Sequence, residues 1–116
     1  KIAENLGCQI NYYDSNNKLS DSKFLEIKNN CWKDSETDWV VVCDCDELIS
    51  ITEEELINES NNGVTLFKFD AYNMVNTEDT LNLDEMTLGF RDSIWDKTLL
   101  FNKSKINEFS FSLTHF

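Results

Sequence analysis

Apolar and polar positions along the chain repeat in short blocks, some alternating every second residue and others recurring at helical spacing, which predicts strands interleaved with helices. Ile2, Ala3 and Leu6 fit the last turns of a helix, and Gly7 follows as the residue past its cap, where a left-handed backbone is wanted. Cys8 to Tyr13 alternates and is rich in strand formers, then breaks at Asp14-Ser15-Asn16-Asn17, so a strand and a loop are expected. Ser20 or Asp21 is placed to cap the next segment. There Phe24, Leu25, Ile27, Cys31 and Trp32 recur at helical spacing while Lys23, Glu26, Lys28 and Lys33 fall outside, which predicts an amphipathic helix covering a sheet.

From Asp38 the chain enters Trp39-Val40-Val41-Val42-Cys43, an apolar run too short for a helix and dominated by β-branched residues. It reads as a strand buried on both faces, of the kind found in α/β sheets. Thr52 with Glu55 matches a capping box and predicts a helix from Glu53 to about Glu59, ended by Asn61-Asn62-Gly63. Val64 to Phe69 alternates as a strand. From Asn73 to Ser93 periodicity is lost, which predicts a functional loop or lid. Lys97 to Phe101 and Ile106 to Phe111 read as two more strands around Asn102-Lys103-Ser104-Lys105. The order of elements is an α/β pattern, with no internal repeat.

Composition narrows the class. A chain of 116 residues and 13.5 kDa has room for one core, so residues 1–116 are expected to form a single domain. Hydrophobic residues at 41% disfavour disorder. A net charge of -12 and a pI near 4.3 exclude a sequence-independent hold on nucleic acid or anionic lipid, which needs clustered Lys and Arg. Acids crowd the segment from Asp34 to Glu59, whereas Arg91, Lys97, Lys103 and Lys105 fall near the only histidine, His115, an asymmetry that can set a cation site against an anion site. Cys8, Cys31, Cys43 and Cys45 lack disulfide-framework spacing and no signal-peptide pattern is present, so free thiols in a reducing, cytoplasmic compartment are expected. No apolar run approaches the roughly 20 residues needed to span a bilayer. The chain opens without Met inside a helix-like turn and stops directly after a strand-like run, from which we expect a segment of a longer protein.

The sharpest chemical feature is Asp44-Cys45-Asp46-Glu47 at the end of the Val40-Val41-Val42 run. In extended backbone the two aspartates share a face, and open α/β sheets hold ligands beyond the carboxyl ends of their strands. Like charges at that place call for a cation, and a hard divalent ion, Mg²⁺ or Mn²⁺, suits oxygen ligands. The alternative is a solvated acidic turn. An EF-hand is excluded because Leu48 and Ile49 stand where its loop needs an oxygen ligand and a glycine. Cys43 and Cys45 lack the partners of a zinc site and are expected to be buried structural thiols on the face opposite the aspartates. Trp32, Trp39, Phe67 and Phe69 are assigned to the core, and Trp95, in the polar stretch, is the aromatic left to meet a ligand.

Asp38-Trp39-Val40-Val41-Val42-Cys43-Asp44-Cys45-Asp46-Glu47-Leu48 resembles the D-x-D stretch of family-2-like glycosyltransferases. Lys28-Asn29-Asn30-Cys31-Trp32-Lys33 before it and Asp96-Lys97-Thr98-Leu99-Leu100-Phe101-Asn102 after it, with a histidine downstream, resemble the same family in the same order. The resemblance implies a GT-A-like (Rossmann-like) mixed sheet flanked by helices, incomplete at the N-terminus because the first strand is missing. It implies transfer of a sugar from a nucleotide-sugar donor to a glycan, lipid or protein acceptor, with Mn²⁺ or Mg²⁺. Asp46 would hold the metal, Asp44 the sugar or ribose side, and His115, which lacks the family's neighbouring glycine, would be a further ligand. Lys97 or Arg91 would assist at the diphosphate. Asp92 and Asp96 are the candidates for a catalytic base. The competing expectation is a non-catalytic sugar-nucleotide-binding or interaction module that keeps the fold without turnover.

Overall fold

Local capping signals set the helix ends in the structure, a computed structural model that describes residues 1–77, 79 and 82–112. A short α1 (Ile2–Asn5) gives way to Gly7 at φ 80°, as the sequence asks. Ser20 accepts the Lys23 backbone N–H at 3.3 Å and starts α2 (Asp21–Asn30). Thr52 and Glu55 form the reciprocal capping box that starts α3 (Glu53–Asn61), and Gly63 at φ 88° follows its last turn. The strands are β1 (Trp39–Val41), β2 (Leu66–Phe69), β3 (Tyr72–Val75), β4 (Leu88–Arg91) and β5 (Lys97–Asn102).

The result is a small mixed α/β domain with two antiparallel sheets. One has the order β1-β5-β2, with β5 antiparallel to both neighbours; the other pairs β3 with β4. Because β5 is central, Leu99, Leu100, Phe101 and Asn102 are all buried. Phe101, opposite Val40, joins Val40 and Val42 in a core cluster against which Trp32, Ile106, Phe109 and Phe111 pack. Trp32 meets Phe101 edge-on at 5.0 Å, and Phe109 stacks on Phe101 at 4.1 Å. Such rings bury large areas and give the cluster most of its cohesion. On the neighbouring strands, Trp39 lies 5.6 Å from Phe67, both partly buried, in keeping with their assignment to the core.

Several expectations are corrected. β1 is an edge strand, so it is not buried on both faces: Val40 and Val42 point inward, while Val41 is 51% exposed. Cys8 to Tyr13 forms no strand, since no ladder partner lies alongside; beyond it the chain bends through Asn16 and Asn17, both left-handed. Ile106 to Phe111 also forms none. Its backbone finds a side chain instead: the Asn29 carbonyl accepts the Phe111 N–H at 2.6 Å and its amide donates to the Phe111 carbonyl at 3.3 Å. The stretch from Asn73 to Ser93 is not a loop, for it holds most of β3 and all of β4 with a short 3₁₀ turn at Leu83–Glu85. At Gly89, opposite Met74, a Cβ would come within 2.8 Å of the movable Met74 Sδ and 3.3 Å of the Asn73 carbonyl. Finally, Lys28 lies inside, not outside: it is the buried residue of α2. Among the described residues no helix is long and apolar enough to cross a membrane.

Candidate functional site

Sheet pairing of β1 ends with the Val42 N–H donating to the Leu99 carbonyl at 2.9 Å, and the chain then turns. The turn is closed twice. The Asp44 carbonyl accepts the Glu47 N–H at 3.1 Å, and the Glu47 carboxylate accepts the Asp44 N–H at 2.9 Å. Asp44 and Asp46 therefore sit on a turn rather than along an extended strand, and the alternation that would give them a common face does not reach them. Asp44 is half-buried, whereas Asp46 is exposed with no hydrogen-bond or ion-pair partner among the described residues.

Two ammonium groups converge on Asp44 from different elements. Lys28, from α2, lies 3.3 Å from Oδ1, and Lys97, the first residue of β5, lies 3.5 Å from Oδ2. Lys97 also makes a close ion pair with Glu47. Burial works against the charge on Lys97, but the Glu47 hydrogen bond and the charges of Glu47 and Asp44 outweigh it and hold its pKa above the ordinary lysine value. Trp95 stands at the rim, its ring centroid 5.9 Å from the Lys97 ammonium and nearly half of its surface exposed. Asp44, Glu47, Lys28, Lys97 and Trp95 thus form one group.

The other expected residues form a second one. Asp96 takes both Arg91 nitrogens at 2.7 Å and accepts the Ala71 N–H at 2.8 Å. The Arg91 hydrogen bond, then the Ala71 N–H, hold the Asp96 carboxyl below its usual range. Arg91 also reaches Asp70 at 3.2 Å and lies 5.8 Å from the Tyr72 ring centroid. Asp92 caps the 3₁₀ turn Ser93–Trp95 by accepting the Ile94 N–H at 3.3 Å, and takes the Asn73 amide at 3.3 Å. His115 lies outside the described residues.

All four cysteines are free, as expected, but Cys43 and Cys45 are exposed rather than buried. Cys43 and Cys45 flank Asp44 at the turn, where the strand's alternation has stopped. Although Cys43 as a residue is exposed, shielding of its thiol, then the charges of Glu47 and Asp44, push its pKa up. A raised pKa keeps it protonated and poorly nucleophilic.

Lys28 was the site residue hidden from the sequence pattern, yet a signal existed. Position 28 falls four residues after Phe24 and four before Trp32, on the stripe that predicts the helix, so a charged residue there had to be buried with a partner.

The donor set matches a hard divalent ion in type: Asp46 offers a solvent-facing carboxylate, and Asp44 a second one engaged by lysines. Among the described residues no group of three or more His, Cys, Asp or Glu side chains could hold a metal ion. Comparison of the chain with protein-family models, curated proteins and solved structures finds no match.

Proposed function

We propose that this is a glycosyltransferase-type domain with a GT-A-like arrangement, transferring a sugar from a nucleotide-sugar donor to a glycan, lipid or protein acceptor with the help of Mn²⁺ or Mg²⁺. One observation carries the reading: at the end of β1, two carboxylates (Asp44, Glu47) and two nearly buried ammonium groups (Lys28, Lys97) share one place, with the exposed Asp46 in the same turn. A metal diphosphate needs both signs of charge together, oxygen donors for the cation and ammonium donors for phosphate oxygens. The likeness of Asp38 to Leu48 to a D-x-D segment supports the same reading.

Asp46 is the metal ligand, because its carboxylate is uncommitted. Asp44 orients the sugar or ribose side, Lys97 meets the diphosphate and Trp95 offers its exposed face to a sugar ring. When bound, the ion supplies Lewis-acid stabilisation of charge on the leaving diphosphate. Asp92 is the better base candidate, since among the described residues its oxygens accept only neutral donors at 3.3 Å, whereas both Asp96 oxygens are held at 2.7 Å by the Arg91 cation, which is thereby withheld from the donor.

The test is a thermal-shift panel of nucleotide sugars with and without Mn²⁺, since a ligand that binds only the folded state raises the melting point by mass action. We expect a shift that needs both metal and nucleotide and that disappears in Asp46→Ala. No shift from any donor removes the reading. Commitment of Asp96 to Arg91 favours a second one, a module that binds the donor without turnover. The two part on one measurement, release of nucleoside diphosphate from the bound donor.

A further inference from the structure

Lys28 is unusual for a surface helix. It is 6% exposed, and its ammonium lies 5.1 Å from the Phe111 ring centroid, 5.9 Å from that of Phe24 and 3.3 Å from Asp44 Oδ1. The rings favour its charge without accepting its strongest hydrogen bonds. Its three N–H donors have Asp44 as their carboxylate, and 3.3 Å is long for a charged pair, which usually closes to about 2.8 Å. Lys97, 10% exposed, lies 3.5 Å from the other oxygen of the same carboxylate, also long, and keeps its close ion pair for Glu47. Two ammonium groups presented by α2 and β5 thus face one half-exposed carboxylate that neither grips tightly.

We propose that Lys28 and Lys97 are a two-ammonium receptor for a phosphate-type oxyanion, and that Asp44 is its resting counterion, occupying the anion's place until displaced. The diphosphate of a nucleotide sugar is the anion in view, and to that extent the proposal rests on the reading above. No covalent bond changes. Asp44 leaves the lysines, the phosphate oxygens take its position, and the freed carboxylate is available to a cation or to a ribose hydroxyl. The aromatic walls of Lys28 keep water from competing for its N–H groups, which strengthens the charged contact.

The experiment is calorimetric titration of the full chain with inorganic pyrophosphate, with and without Mn²⁺. In Lys28→Gln we expect pyrophosphate affinity to fall about tenfold or more, the usual consequence of losing a hydrogen bond to a charged group. Lys28→Arg should retain most of it. Asp44→Asn is the sharper arm, because removing the counterion should raise metal-free pyrophosphate affinity by about tenfold or more and flatten its dependence on added competing acetate. An unchanged affinity in Lys28→Gln, or no gain in Asp44→Asn, overturns the receptor. Should Lys28→Gln fail to fold, the Asp44→Asn arm decides alone. If Asp44→Asn gains pyrophosphate binding while no nucleotide sugar binds the parent chain, the receptor stands and the nucleotide-sugar reading falls. If the parent binds nucleotide sugars with Mn²⁺ but neither variant behaves as expected, the outcome is the reverse.

Discussion

At the scale of single residues, the two aspartates of the D-x-D segment have been given different work by their surroundings. Asp46 faces solvent without a partner, so Asp46→Asn should leave the melting point nearly unchanged while removing Mn²⁺ dependence of nucleotide binding, measured by thermal shift. Asp44 is wired to two lysines, and its replacement should be felt in both binding and fold. Phe101 marks the opposite extreme. It is fully buried, and Phe101→Ala should cost about 3–5 kcal/mol, enough to unfold a chain of marginal stability, as read by denaturant titration. Thr52→Ala removes a complete capping box at an exposed helix end, for an expected loss of about 1 kcal/mol in the same titration.

Elements were legible in the sequence wherever their cause is local. The capping box at Thr52, the Ser20 cap, the glycines past α1 and α3, the apolar alternation of β2 and the short apolar run of β5 each depend on neighbours a few residues away, and each appears where the pattern puts it. What the pattern missed depends on partners far along the chain. Cys8 to Tyr13 has strand composition but no neighbouring strand, and the backbone of Phe111 is satisfied by Asn29, 82 positions earlier. The site divides in the same way. Its acidic half is a contiguous motif and was visible, whereas Lys28 belongs to it only through the ion pair that joins α2 to the turn after β1, 16 positions on. The β3–β4 hairpin has both strands exposed and is tied down by Arg91, which bonds Asp96 and the Ala71 carbonyl. Since the Asp96 carboxyl titrates below its unfolded value of about 3.9, this tie is intact above about pH 4 and is lost as pH falls below that. Amide exchange in Tyr72–Val75 should therefore accelerate on acidification before exchange in β5 does, and Asp96→Asn should bring the fast exchange to neutral pH.

For the whole molecule, the radius of gyration of 16.3 Å exceeds the about 13 Å of a compact chain of this length, and among the described residues the buried apolar set is Val40, Val42, Leu99, Leu100 and Phe101. A thin core carrying a net charge of -12 is stressed by self-repulsion. Raising salt from low ionic strength to about 0.15 M should raise the melting point, followed by circular dichroism, as screening relieves it. The two halves of the site draw on this core unequally. Lys97 is rooted in the central strand, next to its most protected residues, while Asp44, Asp46 and Glu47 hang from an edge strand through a turn of their own. Saturation libraries at the exposed positions 45, 46 and 48 can consequently search for new ligand preferences with foldability nearly constant, whereas the same search at Asp44, Glu47 or the lysines they pair with would mostly return insoluble variants.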